Sequence, residues 1–362
     1  MRIIVEYMLK EFWRYFLLLL GVFTFIYLLI DFLDRIDNFI EYKSTVLEVA
    51  AYYVYKTPFI LLQMSAISVL LAVVIVFSTM HRHSEITALK ASGVSIYRLS
   101  VPFILVALFI SLINFALAEG VVPKANVRVY QLWNYEMHHG DKRGQEHSNK
   151  RFKGWYRAER AIYNVRRFKP REKAIEGVSL YFFDDKFKLI RRVDAKRGVY
   201  VDGHWIFLQG MDKTVAPKGR FKIEKFDRKE ILLPVTPKDF QYVDKTADQM
   251  SLAELDAFIA KLRREGYETT YYQIDRQVKF SLPFVCTVLT ILVIPLTLRQ
   301  GREASMAKGV AVGVGAAFAY LAFFAISRSL GHSETLPIVL AAWLPNIVFG
   351  LAGTYLLVTL RQ

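Results

Sequence analysis

Long charge-free stretches occupy the two ends of the chain and are missing from its middle. Thr57 to Met80 is 24 residues without Lys, Arg, Asp or Glu; Leu99 to Ala118 is 20, Phe280 to Leu298 is 19, Gly309 to Ser327 is 19 and Thr335 to Leu360 is 26. Tyr15 to Ile30 is only 16, but Phe12 and Trp13 extend it and Arg14 is placed to snorkel toward water. About 18 such residues cross roughly 30 Å of hydrocarbon as a helix. The pattern predicts six membrane spans, three before residue 119 and three after residue 279. The first is a poor secretory signal, because no small-residue cleavage site follows and the chain runs on into the acidic stretch Asp31 to Asp37.

Between about 150 and 245 the period changes to that of short strands. Phe152 to Arg157, Ala161 to Val165, Val178 to Phe183 and Leu189 to Asp194 are aromatic and β-branched. Val199 to Val201 and Trp205 to Leu208 flank Asp202-Gly203, a hairpin signal. A sandwich or barrel-like β domain is expected. Its alternation is imperfect at Tyr181, Phe182 and Phe183, which fits either a two-layer core or an apolar groove for an acyl chain. A capping box, Ser251 to Glu254, then opens a helix with Leu255, Phe258, Ile259 and Leu262 at helical spacing, ended by Gly266. Tyr271, Tyr272, Arg276 and Lys279 lead into the fourth span with the aromatic and basic types of a membrane interface.

Composition sharpens the picture. The chain has 362 residues, 54% of them hydrophobic, too many for an ordinary soluble domain. One cysteine, Cys286, excludes an intrachain disulfide framework. Of the net charge of +15, the segment Glu119 to Lys279 carries +11, from 34 basic and 23 acidic residues. Short segments on the N-terminal side of the membrane hold 10 Lys and Arg, against 4 on the other side (Arg35, Lys43, Lys56, Arg328). The positive-inside rule then puts both termini in the cytoplasm and the middle segment outside, since long domains cross largely regardless of charge. A basic exterior suggests an acidic partner or surface.

Catalytic patterns are missing from the sequence. It contains no Gly-x-x-x-x-Gly-Lys-Ser/Thr, no His-Glu-x-x-His and no Gly-x-Ser-x-Gly. His138, His139 and His147 suit a solvated loop or, less simply, a metal, and no metal site is expected. No charge interrupts the five long runs, so a proton relay is not evident and transport energy must come from elsewhere. The loop after the second span reads His81 to Tyr97; Ser84 is placed to cap a short helix with Glu85 in its first turn and Gly93 as its stop. That helix fits equally a lipid surface or a protein partner. Gly309-x-x-x-Gly313 with Ala316 allows close helix approach, either within the chain or to a second subunit.

The stretch SEITALKASGVS, closing a two-span hairpin, resembles the coupling helix of the LptF/LptG family of lipopolysaccharide-export permeases. EGVVPKAN (Glu119 to Asn126), MSLAEL (Met250 to Leu255), DRQVKFSLPF into the fourth span and PLTLRQGR (Pro295 to Arg302) fit as well, and the likeness covers nearly the whole chain. The GVYVDGHWIFL strand pair looks more like LptG than LptF. The resemblance implies a 3+3 helical membrane protein with an inserted all-β, jellyroll-like periplasmic domain. Its expected divisions are spans at 1–118 and 280–362, the β domain at 119–250 and a helical connector at 251–279. It implies a non-catalytic permease of the bacterial inner membrane, paired with an LptF-type sister and driven by a dimeric LptB-type ATPase that uses ATP and Mg. An LptC-type bitopic protein and an LptA-type bridge would receive the lipid, and no nucleic acid is involved.

By the same resemblance Glu85 sits in the ATPase groove, with Ala88, Leu89, Ala91, Ser92 and Gly93 packing the loop there. Gly309, Gly313 and Ala316 fall on a subunit seam. Relatives carry basic residues at the outer end of the first span, where this chain has Asp31, Asp34 and Asp37. Arg35 and Lys43, helped by Lys124 and Arg128, are therefore the candidates for lipid phosphates, and Phe25, Phe32, Phe318 and Tyr320 for acyl chains. The rival readings are a membrane scaffold binding an anionic glycolipid or polymer, and an embedded lipid hydrolase or transferase.

Overall fold

The computed structural model describes residues 2–133, 154–158, 161–169, 172, 174–184, 187–201, 204–215, 221–231, 247–264, 268–299 and 306–360. Ten α-helices are described: α1 (Arg2–Glu41), α2 (Val46–Arg82), α3 (Glu85–Ala91), α4 (Ile96–Gly120), α5 (Val122–Gln131), α6 (Leu252–Arg264), α7 (Thr270–Ser281), α8 (Val285–Leu298), α9 (Met306–His332) and α10 (Ile338–Val358). A 3₁₀ turn, Leu282–Phe284, joins α7 to α8, so that 270–298 is one span. Six helical segments are long and apolar enough to cross a membrane. They fall in the expected groups of three.

The bundle has one end carrying α3 and the opposite end from which the β segment is inserted, here the loop end and the domain end. Tyr97 Oη donates to the Val358 carbonyl at 3.1 Å and Arg299 to Thr359 Oγ1 at 2.6 Å, so the ends of α8 and α10 lie with α3. The second and fourth spans are the most buried, and α2 packs against α1, α4, α8 and α9. Lipid is as apolar as a leucine side chain, so close van der Waals fit and interhelical hydrogen bonds hold such a bundle. Phe12, Phe77 and Phe103 interlock α1, α2 and α4, with ring centroids 5.8 and 4.9 Å apart. Deeper, Asn114 donates to Ser65 Oγ at 2.7 Å and to Cys286 Sγ at 3.4 Å, tying α4 to α2 and α8. Tyr320 donates to Asn346 Oδ1 at 2.7 Å, and Asn346 to the Ser281 carbonyl at 2.8 Å.

Six strands follow: β1 (Gly154–Ala158), β2 (Ala161–Lys169), β3 (Ala174–Phe183), β4 (Leu189–Val201), β5 (His204–Val215) and β6 (Phe221–Ile231). They form one antiparallel sheet in sequence order, an up-and-down meander. The two strands expected at Leu189 to Asp194 and Val199 to Val201 are a single β4. The charged β6 escaped the apolar pattern altogether, as an edge strand held by main-chain pairing can. One face is buried through cross-strand rows such as Tyr163–Leu180–Val193. The aromatics on both faces of β3 are covered: Arg192 lies over the Tyr181 ring and Arg191 over Phe182, at 5.0 and 5.4 Å. The Tyr163 row continues into Asp212, only 4% exposed, which accepts from Arg191 at 3.0 and 2.6 Å and from Lys229 at 2.8 Å. The Arg191 guanidinium holds the Asp212 carboxyl below the usual range, against the opposing effect of burial.

The segment after Glu119 opens with α5, a helix on the bundle, with Val122, Ala125, Val129 and Leu132 at helical spacing. Three sequence-distant motifs meet there. Glu119 Oε1 accepts the Leu252 amide at 2.7 Å, Asn126 donates to the Asp248 carbonyl at 3.4 Å, and Lys279 Nζ to the Met250 carbonyl at 2.6 Å. The expected capping box is present, with Ser251 N to Glu254 Oε2 at 3.1 Å and Glu254 N to Ser251 Oγ at 3.2 Å. The expected turn at Asp202-Gly203 and stop at Gly266 lie outside the described residues, as do His138, His139 and His147.

Candidate functional site

At the loop end, α3 is anchored by its apolar side. Ile86 is 3% exposed and joins the cluster of Met8, Phe12, Met80 and Leu99. Its C-terminus closes as a Schellman motif: Val94 N donates to the Leu89 carbonyl and Gly93 N to the Lys90 carbonyl, both at 2.9 Å, with Gly93 at φ +81°. Leu89 and Val94 are half-buried against the core, completing the hydrophobic contact of that motif. Ser84 does not cap the helix as expected. It adopts φ +61°, with no side-chain hydrogen bond to the helix, because the chain turns tightly out of α2 through its N–H to the His81 carbonyl. Ala88, Ala91, Ser92 and Gly93 remain exposed, so the outward surface is small and shallow. Glu85 stands beside it, 3.9 Å from His83 Nδ1, a contact that is ionic only when His83 is protonated.

At the domain end, the acids of α1 have distinct fates. Asp31 accepts from Lys56 Nζ at 2.7 Å through both oxygens and from Arg35 Nε at 3.3 Å. Lys56 also reaches Tyr52 Oη at 3.2 Å. Arg35 lies over the Trp133 ring at 4.7 Å, beside a cluster of Phe39, Tyr52 and Leu132 that joins α1, α2 and α5. One carboxylate between two cations leaves the group with a formal charge of +1. Asp34 and Asp37 are exposed. Among the described residues no three His, Cys, Asp or Glu side chains gather as a metal site. Lys56 and Trp133 were not among the candidates, although Lys56 directly precedes the charge-free run at Thr57, where a cation marks the membrane boundary.

The other candidates divide. Lys43 and Lys124 are exposed, and Arg128 donates to Gln131 at 3.4 Å. Phe25 and Phe318, 66% and 74% exposed, stand on bare apolar flanks of α1 and α9. One acyl-chain candidate is corrected and another is half-covered. Tyr320 is fully buried on Asn346 within the bundle, and Phe32 is half-buried against Phe39 and Tyr53, with ring centroids 6.2 Å from each. The two glycine candidates for the seam are corrected too. A Cβ on Gly309 would meet Ser78 Oγ at 2.6 Å, and one on Gly313 would meet Val74 and Leu70 at 2.9 and 3.0 Å. Both glycines therefore let α9 approach α2 of the same chain. Ala316 is half-buried, and the small residues left exposed on α9 include Gly315 and Ala319.

A family profile described as lipopolysaccharide export system permease LptF/LptG matches residues 6–359. The chain belongs to the LptF/LptG family. A search of curated proteins found no match. Membership makes the chain a lipopolysaccharide-export permease and a multi-pass protein of the inner membrane. In this LptF/LptG permease, a small exposed surface at the loop end and a cation–aromatic cluster at the domain end are two chemically different features of one bundle.

Proposed function

We propose that this permease is the LptG-type subunit of an ATP-driven lipopolysaccharide exporter, with the loop end in the cytoplasm and the sheet in the periplasm. The observation that carries the reading is α3, a short helix fastened by Ile86, Leu89 and Val94 and presenting exposed Ala88, Ala91 and Ser92 beside Glu85. Such a surface fits a groove in a protein rather than a lipid face, because its large apolar residues already point into the bundle. A dimeric LptB-type ATPase is the proposed occupant, supplying ATP and Mg²⁺ chemistry that this chain has no motif for. An LptF-type sister would cover the bare flanks of α1 and α9, and LptC-type and LptA-type proteins would take the lipid from the sheet. The Arg35–Trp133 pair, with Lys43, Lys124 and Arg128 as further cations of this end, would meet lipid phosphates. Phe25 and Phe318 would line the acyl chains. The GVYVDGHWIFL segment, paired as β4 and β5 with Tyr200 opposite Trp205, supports LptG over LptF.

Co-purification from native membranes in mild detergent tests this, comparing wild type with Glu85→Arg. Wild type should bring down an ATPase and a second six-span subunit, and the charge reversal should lose the ATPase alone. If wild type purifies by itself, or the reversal changes nothing, the scaffold reading replaces the exporter.

A further inference from the structure

A polar cleft of 270 Å³ opens between α6, α7 and the first residue of α10. Arg276 closes one side by gripping the Asp256 carboxylate through Nε and Nη2, which matches its charge and ties α7 to α6. Arg263 also lines the cleft, and its exposed side chain has no hydrogen-bond or ion-pair partner among the described residues. Gln277 on the adjoining helix has a carboxamide equally unused among the described residues, and Gln273 gives its Nε2 to Thr269 Oγ1 at 2.7 Å. The cleft thus offers one unmatched guanidinium and one amide donor, that of Gln277, beside an apolar floor of Ile259 and Ile338.

We propose that this cleft binds the phosphate group of a membrane lipid, with Arg263 as its main ligand and Gln277 as a second donor. Arg presents a planar fork of donors suited to phosphate oxygens, and such charge-assisted bonds are the strong ones. The depth also fits. Tyr271, Tyr272 and Lys279 form an aromatic and basic belt on α7, and the charge-free run starts at Phe280, so the cleft lies at headgroup level. A lipid is favoured over free phosphate because Val339 and Leu340, next in the chain after Ile338, begin an exposed apolar flank of α10 along which acyl chains can lie. The proposal stands on residues separate from those that would meet exported lipid, and it holds or fails independently of the exporter reading.

Native mass spectrometry of the delipidated full-length chain tests it, with dioctanoyl phosphatidylglycerol, dioctanoylglycerol and inorganic phosphate as probes. Arg263→Glu should weaken phosphatidylglycerol binding about tenfold, equivalent to ~1.4 kcal/mol. Arg263→Lys and Gln277→Ala should weaken it less, and dioctanoylglycerol should bind wild type no better than it binds Arg263→Glu. Neither side chain has a partner to lose among the described residues, and unchanged thermal melting checks the fold. Equal phosphatidylglycerol binding by wild type and Arg263→Glu overturns the site. Inorganic phosphate binding as tightly as the lipid, and sensitive to Arg263→Glu, overturns the lipid assignment.

Discussion

The Glu119 carboxylate, at the end of α4, accepts the backbone N–H of Leu252, the first residue of α6, at 2.7 Å across 133 positions of sequence. An anion at a helix N-terminus satisfies an orphan donor and meets the positive end of the dipole. With the Lys279 bond to Met250, it fastens both sides of the β insertion to one end of the bundle. Glu119→Ala should cost about 1 kcal/mol, the ordinary value of a lost N-terminal cap. Amide exchange at 252–255 should quicken while exchange in α2 stays unchanged.

Asp31 and Lys56 should behave as a unit. Both are largely buried, so either single change, Asp31→Asn or Lys56→Met, leaves a partner in a poor environment. Thermal melts in detergent should show both singles destabilised and the double change less harmful than their sum. The coupling should be about 0.5–3 kcal/mol.

Docking at the loop end should be separable from folding. Ala91→Trp enlarges an exposed position and should leave the melting temperature unchanged while abolishing ATPase co-purification. Gly93→Ala meets no atom within 4 Å but forces a side chain onto φ +81°. Its cost should be strain alone, about 1 kcal/mol.

The two classes of small residue on α9 should differ in kind. Gly313→Leu clashes with Val74 and Leu70 and should unfold or severely destabilise the isolated chain. Gly315→Leu has open space and should leave the isolated chain intact, with any loss appearing only as failure to retain a second subunit in co-purification.

Acid should loosen the sheet before the bundle. Asp212, bonded to Arg191, and Asp194, whose bonds to Arg192, Ser179 and Lys213 outweigh burial, both titrate below their ordinary value. A depressed folded value stabilises above the unfolded pKa of about 3.9, and that stability is lost as pH falls through the folded value. Exchange protection across β4 and β5 should hold above about pH 4 and decline below it. Asp212→Asn should show lower protection at neutral pH and a flatter acid limb.

The six spans were legible because lipid imposes its rule on every residue: charge is costly in hydrocarbon, so the runs announce themselves. The domain-end cluster was not, since the Asp31–Lys56 and Arg35–Trp133 contacts join residues 25 and more positions apart. The Gly-x-x-x-Gly pattern marked a close approach correctly but says nothing of which helix approaches. Tyr320 follows Gly313 by seven positions, two helical turns, and so shares its face. That spacing was available as a sign that it lies in the interior, whereas size alone suggested a lipid contact. The charged strand β6 hid because an edge is specified by main-chain pairing and needs no apolar alternation.

The ridge of Leu70, Val74 and Ser78 on α2 receives α9, yet the two are made far apart in time. At ribosomal speeds of about 5–20 residues per second, the roughly 220 residues between the end of α2 and the start of α9 take on the order of 10–45 s to synthesise. During biogenesis the first three helices must therefore wait with that ridge uncovered by α9 while the whole β segment is made. The ridge suits such a wait: it is apolar but for one hydroxyl, and α9 arrives with glycines that demand no rearrangement of it.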